Sequence, residues 1–200
     1  MGNNPSLPSF AFGLAWVALL PACQNQDDII QAARFGDLEK LSDCIESGIS
    51  VDHADPVGET PLFHIIGAGS EKAFELLMAN GADIRLRDGQ GNTTLHKAVT
   101  FGRREFALQL IERGLDINAT NKVGATALHY AVRSGNLGMV EFLVEKGAEV
   151  EVKNADDISP AQVAQAMSEQ EGLSGPMGGM ISKKQMNKIM SALTKPTINK

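Results

Sequence analysis

The 200-residue chain has little of several things that define functional classes. It has one Trp, one Tyr and two cysteines, Cys23 and Cys44. Two cysteines are too few for a disulfide-built scaffold or a cysteine-rich zinc site. It has no excess of cations: 18 Lys and Arg face 24 Asp and Glu, a formal net charge of −6. That balance argues against a dedicated nucleic-acid binder, which usually has a basic body. Residues 1–26 contain no charged side chain, and residues 172–200 contain five lysines and no acid. The stretch between them holds 13 cations against 24 carboxylates, a net of −11. Also missing are a G-x-S-x-G, a phosphate loop, an H-E-x-x-H and a Cys–His pairing, so no nucleophile or metalloprotease constellation stands out.

What the chain does have is periodic glycine. Gly48, Gly81, Gly114 and Gly147 recur every 33 residues. Gly36, Gly69, Gly102 and Gly135 keep the same interval, as do Gly58, Gly91 and Gly124. The residues between them repeat too. Gly58-Glu-Thr-Pro-Leu-Phe63 aligns with Gly91-Asn-Thr-Thr-Leu-His96 and Gly124-Ala-Thr-Ala-Leu-His129. Self-similarity at this period marks a stacked array in which no unit closes its own core.

Each unit reads as two short helices. Thr60, Thr93 and Thr126 stand at a helix start, where a side-chain oxygen can cap free N–H groups. Pro61 falls in the first turn, where its missing N–H costs nothing. A second helix carries apolar residues at helical spacing, as in Phe74, Leu77 and Met78 or Val140, Leu143 and Val144. Gly81, Gly114 and Gly147 then release the chain into an extended finger.

The 33-residue unit and its T-P-L-H-like segments closely resemble the ankyrin repeat, over roughly residues 25–167. In size and layout the chain also resembles small exported bacterial proteins of that family. The resemblance implies an all-α solenoid of helix-turn-helix units joined by β-hairpin fingers. Three regions follow: an apolar leader at 1–22, a repeat domain at 23–167, and a flexible basic tail at 168–200 with a short amphipathic helix. The first unit opens with Asp27-Asp28-Ile29-Ile30, as a polar cap does. The last, from Asp157, keeps only its first helix clearly, which gives four full repeats and a partial one.

The resemblance also implies a non-enzymatic module that uses no cofactor and binds another protein. The binding surface would be a concave groove of finger tips and first-helix residues. In this register the tips are Pro56, Val57 and Glu59, then Arg87, Gln90 and Asn92, then Lys122, Val123 and Ala125. The helix rim adds Arg34, Phe35, Thr100, Phe101, Tyr130, Arg133 and Ser134. Aromatics and arginines there are the expected anchors. His96 and His129 hold equivalent positions, which the resemblance makes structural rather than metal-binding. His53 and His64 have no carboxylate or cysteine at ligand spacing. Cys44 aligns with Leu77, Leu110 and Leu143, so it reads as a small buried hydrophobe with no partner.

The leader carries an apolar run from Phe10 to Ala22, of secretory length and too short to span a bilayer easily. Leu20-Pro21-Ala22-Cys23 also looks like a lipobox, in which Cys23 would be acylated. Met1-Gly2 with Ser6 fits an N-myristoylation pattern, and the run also suits an extra helix on the first repeat. Export to the periplasm or cell envelope is the expectation, with a membrane tether through the N-terminus as a variant. Three roles stay open: an envelope inhibitor or immunity protein, for instance against a cell-wall hydrolase; an intracellular scaffold or delivered effector; and an accessory of an oxidative-stress enzyme.

Overall fold

A computed structural model describes residues 23–169 and 181–194. The leader at 1–22, with its signal-peptide, lipobox and myristoylation readings upstream of Cys23, lies outside the described residues. Among the described residues ten helices form five pairs: α1 (Asp27–Phe35) with α2 (Leu38–Glu46), α3 (Pro61–Ala68) with α4 (Glu71–Ala79), α5 (Thr94–Thr100) with α6 (Arg104–Glu112), α7 (Ala127–Arg133) with α8 (Leu137–Glu145), and α9 (Pro160–Glu169) with α10 (Lys183–Leu193). The first helices pack in sequence, α1 on α3, α3 on α5, α5 on α7 and α7 on α9. The second helices form the other layer. The Phe74 and Phe106 rings sit 5.0 Å apart between α4 and α6, and Arg104 of α6 lies over the Phe142 ring of α8.

The core runs the length of the stack. Leu62, Ile65 and Ile66 of α3 are fully buried, as are Leu77, Leu110 and Leu143 at one repeated position of the second helices. Burying each such side chain stabilises the fold by about 1.5–3 kcal/mol. That contribution arises only against the neighbouring unit, because a single helix pair encloses nothing.

The fingers are tight turns rather than strands. Among the described residues the only β pairings are isolated bridges, Arg87 with Thr93 and Thr120 with Thr126. Successive fingers touch through one backbone hydrogen bond each: Gly89 donates to Val57, Lys122 to Gln90 and Ala155 to Val123. This contact explains the finger glycines. Gly124 has φ 70°, and a Cβ there would sit 2.8 Å from the Ala155 nitrogen.

Three expectations need correction. Cys44 is fully buried as expected, but it has a partner: it is disulfide-bonded to Cys23, with Cα atoms 5.0 Å apart. Cys23, just before α1, thus lies against α2, which no alignment of the repeats reveals. Lipidation of Cys23 would need the sulfur that this bond occupies.

The second correction concerns the tail, expected to be flexible from residue 168 with a short amphipathic helix: the helix is present, but it is docked on the array. Residues 183–193 form α10, which packs on both α8 and α9. Met186, Ile189, Ala192 and Leu193 are buried while Lys183, Lys184 and Lys188 face out. Ile181 lies over Gly135, as the Arg103 guanidinium lies over Gly69, and the Gln185 side chain donates to the Gly135 carbonyl. The fifth repeat therefore has both helices. Its second helix was hard to see because its N-cap falls at Ser182 instead of at Glu169, where the 33-residue register would put it.

The third correction is that Thr60 does not cap α3 with its side chain, and its hydroxyl is buried with no hydrogen-bond partner.

Candidate functional site

Each finger is closed by the same device. The Asp55 side chain accepts from the N–H groups of Val57 and Glu59 at 3.0 and 2.9 Å. Asp88 does so for Gln90 and Asn92, Asn121 for Val123 and Ala125, and Asn154 for Asp156 and Ile158. A short side chain that hydrogen-bonds its own backbone further on holds the turn without a sheet. Burial works to raise the Asp55 carboxyl, but the Glu59 N–H, the His64 ring and the Val57 N–H outweigh it and hold it below the usual carboxylate range.

The helix starts are locked in a second way. The His96 Nδ1 accepts from the Thr93 N–H at 3.2 Å and lies 2.9 Å from its hydroxyl, while Nε2 reaches the Ala125 carbonyl at 2.9 Å. His129 repeats this with Thr126 and the Ile158 carbonyl. A backbone N–H can only donate, so these partners assign the neutral tautomer with its proton on Nε2. Burial pushes both imidazoles below the usual range. This matches the structural role expected of them.

Side chains from the first helices cross to the fingers, so the two sets of candidate residues share one face. On that face His64 corrects its reading. Its Nε2 lies 3.0 Å from Asp55 and its Nδ1 3.6 Å from Glu59, so it has two carboxylate partners. His53 also meets one, Asp27, at 3.4 Å. Sequence spacing missed these pairs because the finger folds back over the helix that follows it. Arg34 approaches Asp55 at 3.9 Å, and Lys97 pairs with Glu59. Asp55, Glu59 and His64 are the described residues that could converge on a metal ion. The Asp55 oxygens already face the finger N–H groups and Arg34, one Glu59 oxygen faces Lys97, and the two His64 nitrogens face these carboxylates. The group is a ladder of alternating charge that ties the first finger to α1, α3 and α5.

Further along the face, several candidate residues are also committed. Arg87 donates to the Gly91 and Thr120 carbonyls at 2.9 and 2.7 Å, and the Lys122 ammonium to the Gly89 carbonyl at 2.7 Å. Asn92 accepts from the Asn121 amide and from the Tyr130 hydroxyl. Thr100 and Ser134 donate back to carbonyls of their own helices, and Ala125 is buried. These residues shape the surface and hold it rigid.

The rest make fewer contacts. Phe35 is 79% exposed, Val57 64%, Val123 57% and Phe101 39%. Pro56 and Gln90 are exposed at the tips, and Arg133 stacks on the Tyr130 ring at 4.8 Å. The sequence reading missed Ile158, which is 39% exposed at the last finger. Its signal was the column it shares with Glu59, Asn92 and Ala125.

No described helix is long and apolar enough to cross a membrane. A family model described as ankyrin repeats (3 copies) matches residues 29–121, and one described as ankyrin repeats (many copies) matches residues 110–164. No curated protein matches the chain. Repeats of this kind are protein–protein interaction modules and are generally non-catalytic. Together the two matches run from residue 29 to residue 164, across all five helix pairs except α10, and the chain belongs to the ankyrin-repeat family.

Proposed function

We propose that this chain is exported and regulates one protein partner by binding it across the face built from the fingers and first helices. The observation that carries the reading is the set of apolar side chains left uncovered on that one face: Phe35, Val57, Phe101 and Val123. Large apolar groups held in water on a rigid surface mark an interaction site. A partner covered in this way is blocked without chemistry from the module, so an inhibitor or immunity role fits, with an envelope enzyme such as a cell-wall hydrolase as the target class.

Export draws support from two features. The apolar leader precedes Cys23 directly, and Cys23 is joined to Cys44. Stable disulfides belong mainly to oxidising compartments. The same bond weighs against the intracellular scaffold reading.

The test uses the chain as bait against the envelope fraction of its own cells. Wild type is expected to retain one partner, and Phe101→Ala and Val123→Ala to lose it while melting normally. Equal capture by wild type and both variants would sink the assignment of the face. Intact mass and N-terminal sequencing of the native chain test export, with a start near Cys23 expected.

A further inference from the structure

Apart from the end helices α1, with Asp27 and Asp28, and α10, with three lysines, charge is sorted between the two helix layers. The second helices α2, α4, α6 and α8 carry nine carboxylates and three cations. The inner helices α3, α5 and α7 carry no carboxylate and two cations, Lys97 and Arg133. An acidic protein thus turns a different kind of surface toward its fingers.

On the first finger the charges are matched, since Asp55 meets Arg34 and Glu59 meets Lys97. On the next two they are not. Among the described residues Arg87, Lys122 and Arg133 have no carboxylate within ion-pair distance, and all three are exposed. The hydrogen bonds of Arg87 and Lys122 go to carbonyl oxygens, which fix the side chains and leave their charge uncancelled. Tyr130 ties the group together. Arg133 lies over its ring, and its hydroxyl joins Asn92 and Asn121 in the same two fingers. Val123 follows Lys122 at the finger tip and is exposed, and the partly exposed Phe101 closes the neighbouring helix α5 with the Lys97 ammonium over its ring.

We infer that this half of the face, from Arg87 to Arg133, binds an acidic segment of a partner protein that also carries a bulky apolar side chain. The inference rests on the protein-binding reading and gives it a chemistry. Carboxylates of the segment meet Arg87, Lys122 and Arg133, and its apolar residue packs on Phe101 and Val123. Three cations preset by the fold are poised to speed encounter with such a segment and to reject a basic one.

The probe is a display library of short random peptides selected against the folded full chain. The expected outcome is enrichment of net-acidic peptides bearing a large apolar residue. Their affinity should fall roughly tenfold or more in Lys122→Glu/Arg133→Glu and weaken as salt is raised. The variant's melting curve should stay close to wild type, since both side chains are exposed and the lost Lys122 hydrogen bond to the Gly89 carbonyl lies at the surface.

Enrichment of neutral or basic peptides that Phe101→Ala still displaces would overturn the acidic preference and leave protein binding standing. Acidic peptides that bind the charge-reversed variant equally would overturn the location. No enrichment would overturn recognition of a linear segment, while the bait experiment decides separately whether any protein binds. Self-association in sedimentation, relieved by the same double variant, would make the occupant the acidic second-helix layer of another copy and overturn a separate partner.

Discussion

Cys23 and Cys44 are joined across a sequence separation of 21 residues, which ties the segment before α1 to the middle of α2. The same segment is pinned again one turn later, where the Asp28 carboxylate accepts from the Gln24 and Asn25 N–H groups and meets the Lys40 ammonium. Those two N–H groups hold the Asp28 carboxyl below its usual range. An end repeat has a neighbour on one side only, so it is the natural place for the array to fray. The bond offsets that weakness by shrinking the unfolded ensemble.

A loop of this length corresponds to about 3 kcal/mol in the chain-entropy account. Cys23→Ser and Cys44→Ser are each expected to lower the urea midpoint. Cys44→Ser should cost more: both positions are buried, but position 23 has the Lys40 carbonyl in reach of a hydroxyl, while position 44 is fully enclosed in the apolar core. A non-reducing peptide map of the oxidised chain should show residues 23 and 44 in one linked species. Two free thiols in protein purified without reductant would contradict the bond.

The repeat itself was plain in the sequence, since period and glycine placement are local properties that survive without coordinates. What was hidden lay in contacts between units. His64 reads as unpartnered because Asp55 and Glu59 reach it by folding a finger over the next helix. The α10 helix was invisible as a repeat element because the longer connection from α9 breaks the period, although its buried Met186, Ile189 and Leu193 keep helical spacing. Arg87 and Asn92 sit at finger tips as the register requires. Register alone does not reveal that both side chains reach across to the neighbouring finger.

Thr60 and Thr93 offer a matched comparison. The Thr93 hydroxyl lies 2.9 Å from His96 Nδ1, whereas Phe63 replaces the histidine beside Thr60 and leaves its hydroxyl buried without a partner. Thr93→Val should therefore destabilise by about 1 kcal/mol through the lost hydrogen bond. Thr60→Val removes only a desolvated hydroxyl, so it should be neutral or stabilise by up to about 1 kcal/mol. Chemical denaturation of the two variants side by side checks this, and equal losses would show that Thr60 has a partner after all.

Asp157 stands where the other fingers have Gly58, Gly91 and Gly124, and it keeps their left-handed backbone at φ 62°. A residue with a Cβ is disfavoured there, and aspartate tolerates it better than most. Its pairing with Lys153 is largely exposed and contributes little. Asp157→Gly is expected to stabilise the last finger by roughly 0.5–1 kcal/mol. A raised melting temperature is the readout, and a lowered one would mean that the ion pair outweighs the backbone strain.

The two histidine locks set a pH dependence with a definite sign. In the unfolded chain each imidazole takes up a proton near its reference value of 6.5. In the folded chain burial lowers that value, and Nδ1 faces an N–H that tolerates no added proton. Between the two values the unfolded state binds more protons, so stability falls as pH drops below about 6.5 and levels off beneath the folded values. Above about pH 7 the locks contribute fully. The slope is limited to about 1.4 kcal/mol per pH unit for each histidine. His96→Gln removes one titrating lock, so its urea midpoint should start lower at pH 7.5 and change less between pH 6.5 and 5.5 than that of wild type. A wild-type midpoint that rises across that acid interval would show that the buried rings accept the proton, and would overturn the neutral-tautomer assignment.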